Sequence, residues 1–291
     1  EYTLRIYGEV SYSTNERGFR SFGSPASEAF KVLALGDSFT QAKQVSDGDP
    51  YYDQLAARRP GTFEIFAYGA GGYGTLQQLM VLETYLEEVE PDLILWQFSF
   101  NDLFNNDYAL ESSSSERNNH MRRPYWENGE VVYRHPDGGS AALTSRSYLA
   151  RRLRIYLDSL RQRTGGTMEQ DLPLDDLQFA RAIETTRSLF RRGVEVAGTT
   201  PIVAFQASPL GRFGFEDEAF ARVCAGVPGM ECIPDMLEVM RQARREGLEI
   251  DARERDGHWN RRGHALAAER IERHLLDAGH LRSAASEPQS E

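Results

Sequence analysis

Lysine is nearly missing from this 291-residue chain: Lys31 and Lys43 are the only two, and arginine supplies the remaining positive charge. We read that as a coding bias towards arginine and not as a functional signal. Basic residues are outnumbered, 33 against 44 acidic, leaving a formal charge of −11. That balance argues against a polyanion partner and so against nucleic acid. No apolar run reaches the length of a membrane-crossing helix, so no transmembrane segment is expected, and no charged-then-apolar leader opens the chain. The chain starts at Glu1 without an initiator methionine, which reads as a trimmed N-terminus and favours an extracytoplasmic location. Histidine is scarce as well. There are six, and only two lie near the motifs described below, too few for a two-metal phosphoesterase site. No metal or cofactor is expected. The two cysteines, Cys224 and Cys232, flank Gly226, Pro228 and Gly229. A small loop disulfide and two ordinary buried thiols are equally open, and no metal-ligand spacing involves them.

Hydrophobic residues make up 40% of the chain, ample for a core. Short apolar runs alternate with amphipathic stretches, the signature of a βαβ sheet. Strands are predicted at Lys31–Leu35, Phe63–Tyr68, Leu93–Phe98 and Pro201–Phe205, with a weaker fifth at Met230–Ile233. Thr75 to Val89 places Leu76, Leu79, Met80, Leu86 and Val89 near one face, as a sheet-covering helix does. Leu177 to Val196 and Asn260 to Leu276 read the same way. One domain is expected over residues 1–278, with a β-rich or irregular lead-in at 1–30, a polar cap insertion at 104–143 and a flexible tail at 279–291. Within the cap, Asn128-Gly129 suits a tight hairpin turn. Arg122, Arg123, Tyr125 and Trp126 there read as a solvated loop with one aromatic anchor, a sugar- or carboxylate-binding role being the alternative.

Four blocks converge on the carboxyl ends of these strands, the edge where open α/β sheets bind ligands. Gly36-Asp37-Ser38 ends the first strand and presents a hydroxyl. A serine needs a base, an orienting acid and oxyanion donors before it can act as a nucleophile. Gly69-Ala70-Gly71-Gly72-Tyr73-Gly74-Thr75 turns a strand into a helix, its glycines letting backbone amides approach a ligand. Asn101-Asp102 offers a side-chain amide. Asp256-Gly257-His258, leading to His264 at the start of the last helix, supplies an imidazole and a nearby carboxylate.

The ordered set of four blocks resembles that of the SGNH, or GDSL-type, hydrolase superfamily. The resemblance implies a three-layer α/β/α sandwich with a central parallel sheet, flavodoxin-like, which agrees with the strand reading. It implies Ser38 as nucleophile and His258 as general base. It also implies an oxyanion hole made of the Ser38 N–H, the Gly72 N–H and the Asn101 side chain. Two positions depart from the pattern. Ser99 stands where the third block usually has glycine, and the acid is spaced Asp256-x-His258, with Arg255 at the usual acid position. That spacing resembles the alginate O-acetyltransferase-like branch, where it serves as the acid–base pair. Asp37, Asp102 and His264 are expected to be structural, and Trp259 to pack beneath the loop.

The function expected from this set is serine-dependent hydrolysis of a small-molecule or carbohydrate ester through an acyl-enzyme on Ser38. O-acyl transfer to a glycoside by the same residues is the alternative. A non-catalytic binding module on the same fold is the alternative of another class.

Overall fold

The computed structural model describes residues 2–4, 9–20, 23–113, 122–135, 147–150, 152–153, 156–157, 176–210, 214–253 and 257–281. The tail expected to fray falls mostly outside these residues.

The five apolar runs form one sheet. Strands β3 (Phe30–Gly36), β4 (Phe63–Gly69), β5 (Leu93–Phe98), β8 (Ile202–Gln206) and β9 (Met230–Ile233) lie in the order β4-β3-β5-β8-β9. Every neighbouring pair is parallel. Parallel strands covered on both faces read as continuous apolar runs, and alternate residues serve opposite cores. Leu33, Leu35, Ile94, Trp96, Phe98 and Ala204 enter one cluster. Val32, Ala34, Leu93, Leu95, Val203 and Phe205 enter the other. Helices α3 (Thr75–Val89), α6 (Asp176–Ala197) and α7 (Glu216–Ala225) cover the first face. Helices α2 (Tyr51–Arg58), α8 (Met236–Arg245) and α9 (Arg261–Asp277) cover the second. The result is the expected α/β/α sandwich. Its strand order reverses between β3 and β5, so the carboxyl ends of those two strands define the crevice.

The described residues of the lead-in are held by hydrogen bonds within the segment and to neighbouring loops. Strands β1 (Tyr2–Leu4) and β2 (Val10–Tyr12) pair antiparallel. Asn15 then accepts from the N–H groups of Arg17 and Phe19, both at 3.0 Å. Phe19 stacks on Tyr68, and Arg20, which forms an antiparallel bridge to Ala67 of β4, is buried against the carbonyls of Ala42 and Val45.

The cap differs from a solvated loop. It opens with the short helices α4 (Asp102–Asn105) and α5 (Tyr108–Ser113), and Phe104, Leu110 and Glu111 are buried. Strands β6 (Arg123–Glu127) and β7 (Glu130–Arg134) follow as the predicted hairpin, with Asn128 and Gly129 both at positive φ (53° and 85°). Those angles are what a two-residue type I′ turn requires. Tyr125 is buried as the aromatic anchor, whereas Arg123, expected in the solvated part of the loop, is buried as well. The cysteine question is also resolved: Cys224, at the end of α7, is bonded to Cys232 of β9, with Cα atoms 6.3 Å apart.

His264 shows what the core demands. It lies on α9, 1% exposed, and its Nδ1 accepts the Tyr51 N–H at 3.2 Å. Burial, followed by the charge of Arg20, lowers its pKa to about 3. The unfolded chain therefore takes up a proton below about pH 6.5 that the folded chain refuses, and stability falls with acidification at up to ~1.4 kcal/mol per pH unit. Urea unfolding at pH 7.5 and pH 5 should show a smaller acid loss for His264→Asn, which keeps an acceptor for Tyr51, than for the parent chain. Equal losses would mean that this imidazole protonates in the folded state.

Candidate active site

The turn after β3 frees the serine hydroxyl. A serine following a strand commonly caps a helix, but here the cap of α1 (Ser38–Gln41) is Asp37, whose Oδ1 accepts the Phe39 N–H at 3.0 Å. The turn is tied to the neighbouring strand, because Gln97 Oε1 accepts from the Asp37 N–H at 2.9 Å and from Thr40 Oγ1 at 3.1 Å. Ser38 Oγ faces His258 Nε2 at 2.7 Å.

The histidine loop is pinned on both sides. Ala252 N–H donates to the His258 carbonyl at 2.8 Å, Asn260 N–H donates to the Ile250 carbonyl at 2.8 Å, and Asp251 and Trp259 form an antiparallel bridge. Asn260 caps α9 by accepting from Arg262 and Gly263 N–H. Gly257 has φ +75°, and a Cβ there would lie 2.5 Å from the Pro209 side chain. Only glycine allows the chain to turn the imidazole inward at this point. The ring packs against Phe39 at 4.8 Å, and Trp259 lies beneath, edge-on to Phe39. Asp256 lies outside the described residues. Asp251, a second acid in the loop, is paired with Arg244 at 2.5 Å.

The glycine block lies beside the serine. Tyr73 N–H donates to the Ala70 carbonyl at 3.0 Å, closing a turn whose third residue, Gly72, has φ +83°; such a position favours glycine. Gly71 N–H is occupied by Gln41 Oε1 at 2.8 Å and Gly74 N–H by Gln77 Oε1 at 3.3 Å. The N–H groups of Gly71 and Gly74 are thus engaged within the protein. Asn101 stands at the start of α4, yet its side chain makes no capping bond. Its Nδ2 donates to Asn105 Oδ1 at 2.9 Å. With the Asn105 oxygen and nitrogen exchanged, that oxygen accepts from Arg123 Nη1 at 3.1 Å and the nitrogen donates to the Asn101 carbonyl at 3.3 Å. Asn101 Nδ2 then no longer has the Asn105 oxygen as its acceptor.

Two carboxyl groups lie under the site. Burial raises the pKa of Asp37, opposed by the Phe39 N–H and by His258. Burial and the charge of Asp37 raise that of Asp102 well above the usual carboxylate range. Asp102 Oδ2 accepts from Thr75 Oγ1 and Ser99 N–H, each at 3.3 Å. Both acids thus brace loops, as expected. A carboxyl biased towards its neutral form also opposes a nearby oxyanion less than a carboxylate does. Among the described residues no cluster of His, Cys, Asp or Glu could hold a metal ion, and no helix is long and apolar enough to cross a membrane.

Gln41, Gln97, Arg123 and Glu111 belong to this site's framework and were not assigned to it from the sequence. They act through contacts 12 to 60 residues away along the chain, which no local pattern marks.

No protein-family model matches this chain, and the comparison with curated proteins finds no match. Among solved structures it is similar to a member of the lipolytic protein G-D-S-L family from Veillonella parvula, with 14% identity over 84% of this chain and 97% of that one, TM-score 0.47. It is also similar to a lipase from a goat rumen metagenome, with 14% identity, 84% and 97% coverage and TM-score 0.49. A third is an acetylxylan esterase from Geobacillus stearothermophilus, with 13% identity, 87% and 97% coverage and TM-score 0.45. At such values the chemistry has to be read from this chain's own residues.

Proposed function

We propose that this protein is a serine esterase that cleaves carboxylic esters through an acyl-enzyme on Ser38. The observation that carries the reading is the 2.7 Å approach of His258 Nε2 to Ser38 Oγ, with the capping duty that would otherwise occupy the serine performed by Asp37. In this reading His258 takes the Ser38 proton as Oγ attacks the acyl carbon, then returns it to the departing alcohol. Asp256 holds the imidazole in the tautomer that leaves Nε2 as acceptor. The Ser38 and Gly72 N–H groups and the Asn101 amide receive the negative charge that develops on the carbonyl oxygen. Water, activated by the same imidazole, then releases the acid.

A fluorophosphonate that phosphonylates activated serines tests this directly. The expected result is a single adduct on the peptide carrying Ser38, with loss of short-chain nitrophenyl ester hydrolysis in proportion to labelling. A folded protein that hydrolyses esters but takes no label at Ser38 would overturn the mechanism. One that neither hydrolyses nor labels would be a binding module on this fold.

A further inference from the structure

We propose that Arg123, from the cap hairpin, is a positioning residue that fixes the Gly72 oxyanion donor; the inference rests on the esterase reading above. Arg123 is the first residue of β6 and is 4% exposed. Its Nη1 pairs with Glu111 Oε1 at 3.0 Å, and its Nη2 donates to the Gly72 carbonyl at 2.7 Å and to Gln77 Oε1. Glu111 is fully buried, and its other oxygen accepts the Tyr125 hydroxyl at 2.8 Å.

A buried ion pair is poor evidence of stabilisation, because desolvating both charges offsets their attraction. A guanidinium does offer something an apolar side chain cannot: several donors in a fixed plane, able to hold a carboxylate and a backbone carbonyl at once. The recipient of that second bond matters. The turn from Ala70 to Tyr73 contains two glycines in succession, so few side chains restrain it. Gln41 grips it at Gly71 N–H and Arg123 at Gly72 O. The Gly72 N–H lies between those two anchors. Gln77 extends the clamp by accepting from Gly74 N–H while it accepts from Arg123. With its amide exchanged, Asn105, which contacts Asn101, also accepts from Arg123. One arginine therefore touches the supports of two of the three proposed donors, without itself reaching the substrate.

A donor acts only if it is already aimed where charge appears, and removing one costs roughly 10²–10³-fold in kcat. Arg123→Lys supplies one ammonium that cannot span Glu111 and Gly72 together. Its kcat is expected to fall by about 10–10²-fold, between an intact donor and an absent one, with KM changed by less than about threefold. Affinity for a boronic acid, which forms a tetrahedral adduct on the serine, should fall by a similar factor. With rates taken per active site titrated by the phosphonate, a merely structural role would lower the titre and leave kcat per site and boronate affinity untouched. Tyr125→Phe, which removes only the Glu111 contact, should show a smaller loss in the same direction and keeps the idea testable if Arg123→Lys does not fold. Parental kcat and boronate affinity in the folded variants would overturn the proposal. So would a rise in KM alone, which would make Arg123 a substrate-binding group. Ser38→Ala run in parallel separates the two claims. If it retains activity, the esterase mechanism itself is wrong; if it is inactive while Arg123→Lys behaves as the parent, only the positioning role falls.

Discussion

Ser38→Ala is expected to abolish ester turnover while the protein keeps its fold. The side chain contributes its hydroxyl to His258 and little else, since the helix cap and the ties to β5 belong to Asp37, Thr40 and Gln97. Losing the oxygen therefore removes the proposed nucleophile without loosening the turn. The loss in kcat should be on the order of 10⁶, the scale found for serine and histidine members of such catalytic sets. Unfolding curves that overlay those of the parent, with no measurable turnover, are the expected pair of results. Substantial turnover in the folded variant would place the chemistry elsewhere.

His258→Ala should come close to the same loss, on the order of 10⁶, because nucleophile and base act as a unit and removing either disables both. The imidazole is the group facing Ser38 Oγ. His264, the other histidine of this region, is buried with its Nδ1 turned to the Tyr51 N–H, so it cannot substitute. Phosphonate labelling of Ser38 should slow in parallel with turnover in His258→Ala, since both need the hydroxyl activated. Labelling at the parental rate would show that the serine gains its reactivity without this base.

Much of the framework is legible in the sequence because each feature has a local cause. Continuous apolar runs mark doubly covered strands, and Asn128-Gly129 marks its hairpin by the positive φ both residues adopt. Helix α2 is harder to read: it is short, follows Pro50, and buries Tyr51, Tyr52 and Leu55 in only two turns. Helix α8 shows Met236, Leu237, Met240 and Ala243 at helical spacing, a signal that its arginines obscure. The serine and histidine are legible because strand ends and motif order announce them. The burial of Arg123 is not, since it depends on Glu111 and Gly72 arriving from two other elements. A charged residue in a polar stretch gives no sign of which partners the fold will bring to it.

The lead-in and the disulfide have a further consequence, for how copies of this protein treat one another. The outer strands of an open sheet carry backbone groups that can recruit a strand from another molecule. On one border, the bridge between Arg20 and Ala67 lays a crossing segment against β4. On the other, β9 has only four residues and is stapled to α7 through Cys232. A crossing segment on one border and a very short strand on the other are both features that limit edge-to-edge pairing between copies.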